Sequence, residues 1–321
     1  MKAAVLHEFG KPPRYEGFAD PEIADGHVWV TVRAAALKPI DKQLAAGTHY
    51  GKAKELPVIC GTDGIGELED GTRVFFVMPA APFGTMAEYA AISPSRCWTM
   101  PNDLDDLTAA AIFNPGLSAF ASLQWGAALA PGETVLILGA TGVTGRLAVQ
   151  TAKLSGAKRV VAAGRNAAAL AELTALGADA LVPLNQSDEK LAEALAREAG
   201  EGYNVILDYI WGHTTEVFLS TVGRTDMQAG SGGRMRLVQV GEGGGATISL
   251  PAAVLRSSRL EIVGAGTGSA VLMAKWKEAR DLLIERFCSG ALKITTQAVP
   301  LADVETAWHR ETSGQRIVFV P

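Results

Sequence analysis

Val135-Leu136-Ile137-Leu138-Gly139-Ala140-Thr141-Gly142-Val143-Thr144-Gly145 decides how this chain of 321 residues is read. Four apolar residues run directly into a glycine-rich turn, and an apolar-spaced segment (Leu147, Val149, Ala152, Leu154) follows. The spacing predicts a buried strand, a tight turn and a helix. Glycines let the backbone pass close to a ligand, and a helix N-terminus offers unpaired N–H groups with partial positive charge. Gly139, Ala140, Thr141, Gly142, Val143, Thr144 and Gly145 are therefore candidates for cradling the diphosphate of a dinucleotide.

Working outward, short runs rich in Val, Ile and Leu recur at residues 134–138, 159–163, 180–182, 205–208, 236–240 and 260–263. Such runs suit parallel strands buried on both faces. Helical patterns at 144–154, 166–176, 188–199 and 213–221 separate most of them. The alternation predicts the α/β class, with a doubly wound parallel sheet. The Gly/Ser/Asp-rich segment 223–233 reads as a surface loop.

The second strand ends Ala163-Gly164-Arg165-Asn166, and no Asp or Glu occurs between Glu133 and Glu172. NAD sites place an acid about 20 residues past the glycines to hold the ribose 2′-hydroxyl. Arg165 instead offers a planar, permanently charged fork suited to a 2′-phosphate. Asn166, at the expected helix N-cap, adds a hydrogen-bonding group. The expected cofactor is NADPH.

Upstream, strand patterns at 2–6, 28–34, 72–77 and 86–92 are separated by Gly- and Pro-rich breakers, the signature of a small, mostly β domain. The tail reads as a helix at 271–287, a strand at 294–299, a helix at 302–311 and a strand at 316–320. Residues 1–116 and 256–321 are expected to form one discontinuous domain, with 117–255 inserted as the nucleotide-binding domain.

Lys and Arg number 29 against 34 Asp and Glu, a net charge of −5 that argues against a nucleic-acid partner. Cys60, Cys97 and Cys288 lie far apart, so neither a disulfide framework nor a Cys-rich zinc site is expected. The N-terminal apolar run is too short for a signal peptide. Residues 109–140 are interrupted by Asn114-Pro115-Gly116, Gln124, Pro131 and Glu133, which rules them out as one membrane span. The expected location is the cytoplasm.

Met1-Lys2-Ala3-Ala4-Val5, Ala36-Leu37-Lys38-Pro39-Ile40-Asp41, the segment from Pro57 to Gly66, Phe83-Gly84-Thr85-Met86-Ala87-Glu88-Tyr89 and Gly116-Leu117-Ser118-Ala119-Phe120 precede the glycine turn in that order. With the runs 205–212 and 237–241 after it, the chain resembles the zinc-independent quinone oxidoreductases of the medium-chain dehydrogenase/reductase superfamily, over essentially its whole length. The resemblance implies a GroES-like, mostly β catalytic domain built from both chain ends and a Rossmann domain between them. It implies a homodimer that uses NADPH to reduce quinones or other α,β-unsaturated carbonyl compounds, and it adds Gly241 to the cofactor-binding residues.

Three departures stand out. Zinc-dependent relatives carry Gly-His-Glu where this chain has Gly61-Thr62-Asp63, and a four-Cys lobe that is missing here, so no metal is expected. Lys38 stands where family members usually have Asn. A Lys and a Tyr that help hold the 2′-phosphate in some relatives are replaced by Ala169 and Leu184, which leaves Arg165 most of that task.

The catalytic candidates are Tyr50, placed where related 2-enoyl reductases keep a Tyr for protonation or orientation, with Lys38 and Asp41. A phenol can hydrogen-bond a carbonyl oxygen and donate a proton as charge develops there; the alternative is a rim tyrosine that only packs. Lys38 either polarises a substrate oxygen or pairs with Asp41. His213 either lines the crevice or caps the next helix, and His49 is read as a local hydrogen-bonder. Cys60 reads as a small buried hydrophobe. Ser93 and Ser118 lack His-Asp partners, which sets hydrolase chemistry aside. The expected reaction is hydride transfer to a conjugated carbonyl or quinone. The alternatives are an enoyl-thioester reductase and a non-catalytic NADPH-binding protein.

Overall fold

The computed structural model describes residues 1–22, 26–222, 233–266 and 274–321. It divides into two compact units, Met1–Phe113 with Ile294–Pro321, and Asn114–Lys293.

The first unit opens with β1 (Lys2–Leu6), β2 (Arg14–Gly17), β3 (Val28–Ala36), α1 (Pro39–Ala46), β4 (Val58–Ile59), β5 (Asp63–Leu68), β6 (Arg73–Val77), β7 (Tyr89–Ile92) and β8 (Cys97–Thr99). Helix α2 (Asp106–Ala121) carries the chain into the second unit. In β3, Val30 and Val32 are buried while Thr31 and Arg33 face out, the period-2 pattern of a half-buried strand. Val30 and Val32 pack with Val74, Phe76, Ala90 and Ile92 from β6 and β7. Gly66 on β5 faces this strand where the register shifts between Val32 and Ala34. A Cβ on Gly66 would sit 2.6 Å from the Thr31 carbonyl oxygen, so only glycine fits.

The second unit alternates β9 (Thr134–Leu138), α3 (Val143–Leu154), β10 (Arg159–Gly164), α4 (Ala167–Ala171), β11 (Ala180–Pro183), α5 (Asp188–Ala199), β12 (Val205–Asp208), α6 (His213–Val222), β13 (Met235–Gln239), α7 (Ala252–Ser258), β14 (Leu260–Gly264) and α8 (Trp276–Cys288). The sheet is parallel, in the order β11-β10-β9-β12-β13-β14. Every residue of β12, and Val135 to Leu138 of β9, is buried, as two covering layers of helix require. Strands leave β9 first toward β11 and then toward β14, so the winding reverses between β9 and β12. Ligands of open α/β sheets bind outside the strand ends at such a point.

The chain then returns to the first unit as β15 (Thr296–Pro300), α9 (Val304–Ala307) and β16 (Arg316–Val320), with β16 antiparallel to β3. Val299, Trp308, Ile317 and Phe319 share a core with Ala4, Leu6, Leu37 and Met86, which joins the two chain ends.

The doubly wound fold stands as expected, with three corrections of extent. The second boundary falls after Lys293 rather than after residue 255. Leu260–Gly264 pairs with β13, and Leu283 of α8 lies against Gly116. The helix expected at 302–311 shrinks to a 3-10 turn (Leu301–Asp303) and α9, because Trp308 turns into the core and Arg310 N–H closes on the Ala307 carbonyl. The helix expected at 166–176 is α4 continued by a 3-10 turn (Glu172–Leu176), closed by Gly177 at φ 106°. The expected loop at 223–233, except Gly233, and the first three residues of the helix expected at 271–287 lie outside the described residues.

A Cβ on Gly145 would fall on the Gly139 carbonyl oxygen and 2.6 Å from Ala140 Cα, so α3 can start against β9 only without it. Gly145→Ala is expected to lower stability by about 1–3 kcal/mol through overpacking against rigid backbone. At Gly142 a Cβ meets only the Gly139 oxygen, at 3.5 Å, so Gly142→Ala should unfold close to wild type. Thermal denaturation of the two variants checks the contrast.

Candidate functional site

The chain leaves β9 at Gly139, whose φ of 86° is a left-handed conformation that glycine adopts without strain. Gly139 and Ala140 N–H both donate to the Ala163 carbonyl of β10, at 3.0 and 2.9 Å, which anchors the turn to the sheet. Gly142 is the N-cap of α3 and, having no side chain, leaves the first-turn amides of Val143, Thr144 and Gly145 uncapped. Those amides and the dipole of a 12-residue helix point to an anion. Thr141 leans on Gly164, where a Cβ would lie 3.0 Å from its Oγ1. A glycine turn with uncapped amides fits a diphosphate.

The neighbouring strand end supplies a wall that sequence reading did not foresee. Asp208, the last residue of β12, is fully buried and stands in register with Leu138. Its Oδ1 accepts the Ile210 and Trp211 amides at 2.9 and 2.8 Å, and Oδ2 accepts the Thr215 hydroxyl at 2.5 Å. Burial pushes the Asp208 carboxyl above its ordinary pKa, against the pull of these hydrogen bonds. The bonds curl residues 209–212 into a tight loop, with Trp211 held at φ 59°. That loop lays Tyr209 and Ile210 against Gly139, where an added Cβ would meet their side chains at 3.2 and 3.1 Å. Gly241 N–H donates to the Asp208 carbonyl at 3.1 Å, and a Cβ on Gly241 would lie 2.5 Å from the Tyr209 oxygen. Tyr209's hydroxyl is buried and, among the described residues, has no hydrogen-bond partner.

Arg165 follows β10 directly and is exposed; among the described residues its guanidinium has no ion-pair partner. Glu172, the nearest acid downstream, is engaged by Arg146 at 2.7 Å. Asn166 caps α4 by accepting the Ala169 amide at 3.0 Å. Ala169 is buried and Leu184 half-buried, its amide donating to the Gly164 carbonyl at 2.9 Å. His213 is exposed and pairs with Asp188 at 2.9 Å and Glu216 at 3.6 Å, which raises its pKa; it joins α5 to α6.

The catalytic candidates lie in the first unit. Lys38 and Asp41 are buried to 1 % and 2 % exposure. Lys38 Nζ donates to Asp63 Oδ1 at 2.5 Å and to the Ala36 carbonyl at 3.1 Å, and lies 3.4 Å from Asp41 Oδ2. Asp41 Oδ2 accepts the Lys38 amide, and Oδ1 accepts the amide and hydroxyl of Thr62. Arg316 of β16, also buried, donates to the Leu37 carbonyl at 2.8 Å. Burial alone would lower the Lys38 pKa; the fields of Asp41 and Asp63 outweigh it and hold the ammonium above its ordinary 10.5. So placed, Lys38 and Asp41 brace the start of α1 and the Thr62-Asp63 turn. Asp63 and Arg316 were missed because each is distant in sequence. Tyr50 is 96 % exposed, its ring 4.1 Å from that of His49. Among the described residues no group of three or more His, Cys, Asp or Glu side chains could hold a metal ion.

The second unit is a doubly wound parallel α/β sheet with a glycine turn at its winding reversal. The family described as zinc-binding dehydrogenase matches residues 143–285. Human quinone oxidoreductase is 32 % identical over 177 residues, 51 % of this chain and 53 % of the human protein, so the match spans about half of that relative. A phenolphthiocerol/phthiocerol polyketide synthase of Mycobacterium tuberculosis is 27 % identical over 98 % of this chain and 14 % of its own length. The solved quinone oxidoreductase of Thermus thermophilus, also studied in complex with NADPH, superposes with a TM-score of 0.82 and 26 % identity over the full length of both chains. The chain is thus similar in sequence to quinone oxidoreductases and shares the fold of the solved ones.

Removing the Lys38 charge leaves two buried carboxylates with Arg316 as the one cation of their cluster. Lys38→Met is expected to cost about 3–5 kcal/mol, the usual penalty for breaking a buried pair, measured by denaturant unfolding at neutral pH. Because the native pKa lies above the unfolded 10.5, the Lys38 contribution is complete below that pH and lost only as pH rises through the native value. The gap between wild type and Lys38→Met should therefore stay constant from pH 6 to 9.

Proposed function

We propose that the protein transfers a hydride from NADPH to an electron-poor carbon of a quinone or another α,β-unsaturated carbonyl compound, without zinc. One observation carries the cofactor reading: an uncapped glycine turn on β9 beside Arg165, whose guanidinium has no ion-pair partner among the described residues, with no acid between Glu133 and Glu172. In this reading the amides of Val143, Thr144 and Gly145 hold the diphosphate, Arg165 holds the 2′-phosphate, and Tyr209, Ile210 and Gly241 shape the wall along the nucleotide. The bound cofactor supplies the hydride; the protein orients it and excludes water.

Tyr50 is the residue we assign to the substrate oxygen, where its hydroxyl donates a hydrogen bond or a proton as charge develops. Lys38 and Asp41 act as positioning residues. The zinc-free reading is supported by Thr62-Asp63, which stand where zinc-dependent relatives carry His-Glu, and by the Lys38 ammonium already held between Asp41 and Asp63. The same reading makes the chain a homodimer: the outer edge of β14 has no partner strand among the described residues, and a second copy would pair with it. Sedimentation as a single-chain species would remove that part.

A second reading, reduction of an enoyl thioester, is favoured by the similarity to the polyketide synthase. Tyr50→Phe separates the two. It should abolish most turnover of an enoyl thioester and leave quinone reduction largely intact, since water can protonate a reduced quinone.

The test is NADPH and NADH oxidation against a panel of quinones, enones and enoyl thioesters. Arg165→Ala should weaken NADPH binding about 10–100-fold, the worth of a charge-assisted contact, and leave NADH unchanged. Equal rates with NADH, or full NADPH affinity in Arg165→Ala, would overturn the cofactor assignment. A protein that binds NADPH and reduces none of the panel would be a binding protein instead.

A further inference from the structure

We infer that Asn185 is a specificity-determining residue that aims Arg165 at the cofactor's 2′-phosphate. The inference rests on the NADPH reading and deepens it. Among the described residues the Arg165 guanidinium has no ion-pair partner, but a loose arginine on an exposed loop is a poor reader of phosphate, since ordering its long side chain costs entropy on binding. Selectivity then depends on how firmly the backbone beneath it is held.

Two hydrogen bonds hold that backbone, and both come from the end of β11. Gly164 is in register with Pro183, and the Leu184 amide donates to the Gly164 carbonyl at 2.9 Å. Asn185 Nδ2 then donates to the Arg165 carbonyl at 2.7 Å, across 20 residues of sequence. Successive carbonyls on either side of the Arg165 Cα are thus fixed. On the far side, Asn166 is committed to capping α4 through the Ala169 amide. The Leu184 contact is backbone to backbone and survives most substitutions. The Asn185 contact depends on one side-chain amide, and it is the part that sequence can vary. Asn185 is exposed, so its amide is not needed to satisfy a buried core. An aspartate there could not donate to the Arg165 carbonyl and would add a negative charge beside the 2′-phosphate.

The experiment is a double-mutant cycle on Arg165→Ala and Asn185→Ala, reading dissociation constants for NADPH and NADH by nucleotide fluorescence, with thermal unfolding as a folding control. In the Arg165 background, Asn185→Ala should lower the NADPH preference about five- to tenfold, the worth of one hydrogen bond in positioning, with NADH binding unchanged. Asn185→Asp should lose at least as much. In the Arg165→Ala background the same Asn185→Ala change should have no further effect, because the group it aims is gone. Three results would overturn the assignment while leaving the NADPH reading intact. These are an unmoved preference in Asn185→Ala, equal weakening of both nucleotides, and an equal effect of Asn185→Ala with and without Arg165. A wild-type protein that binds the two nucleotides equally would instead overturn the cofactor reading, and this inference with it.

Discussion

Everything at the glycine-turn end of the sheet depends on how closely α3 can start against β9. The turn from Gly139 to Gly145 has no room for a Cβ at its last glycine, and Gly164 on the next strand must stay bare for Thr141. The reward for that tightness is electrostatic. An amide-lined helix start, capped by a residue with no side chain, is brought to the one place where the winding of the sheet reverses. A side chain at any of these positions would push the helix outward or occupy the space an anion needs.

The two strand ends beside this turn are braced in different ways. After β12, a buried carboxylate gathers two amides and a hydroxyl, and the resulting loop presses Tyr209 and Ile210 against Gly139. After β10, a backbone bond from Leu184 and a side-chain bond from Asn185 hold the segment that carries Arg165. The first brace is deep in the unit and shapes a wall; the second is exposed and directs a charge. In the other unit, Lys38, Asp41, Asp63 and Arg316 form a buried cluster of two cations and two anions that ties α1 and β5 to the C-terminal strand. Its members neutralise one another, which is why charges can persist there.

The parallel sheet was legible because strands buried on both faces leave unbroken apolar runs, and because the glycine turn breaks the run at an unmistakable place. Gly177 likewise marked the end of its helix. Helix α2 was not legible: it is apolar on nearly every side and contains Pro115, so it shows neither a stripe nor a clean stop. The domain boundary was placed too early because the sequence changes style before the sheet is finished, and only pairing with β13 shows that Leu260–Gly264 completes it. The turn from Gly139 to Gly145 between strand and helix, and Arg165 at the end of β10, could be read from spacing. Asp208, Tyr209 and Asn185 could not, since their roles come from contacts between loops distant in sequence. The pairing of Lys38 with Asp41 was visible at three residues' separation, whereas Asp63 and Arg316 enter only when the strands assemble.

The most direct measurement is a crystal structure of the protein grown with NADPH. The expected result is the diphosphate over the amides of Val143, Thr144 and Gly145 at the start of α3, with the Arg165 guanidinium on the 2′-phosphate. A nucleotide bound elsewhere, or a diphosphate that does not touch this turn, would contradict it.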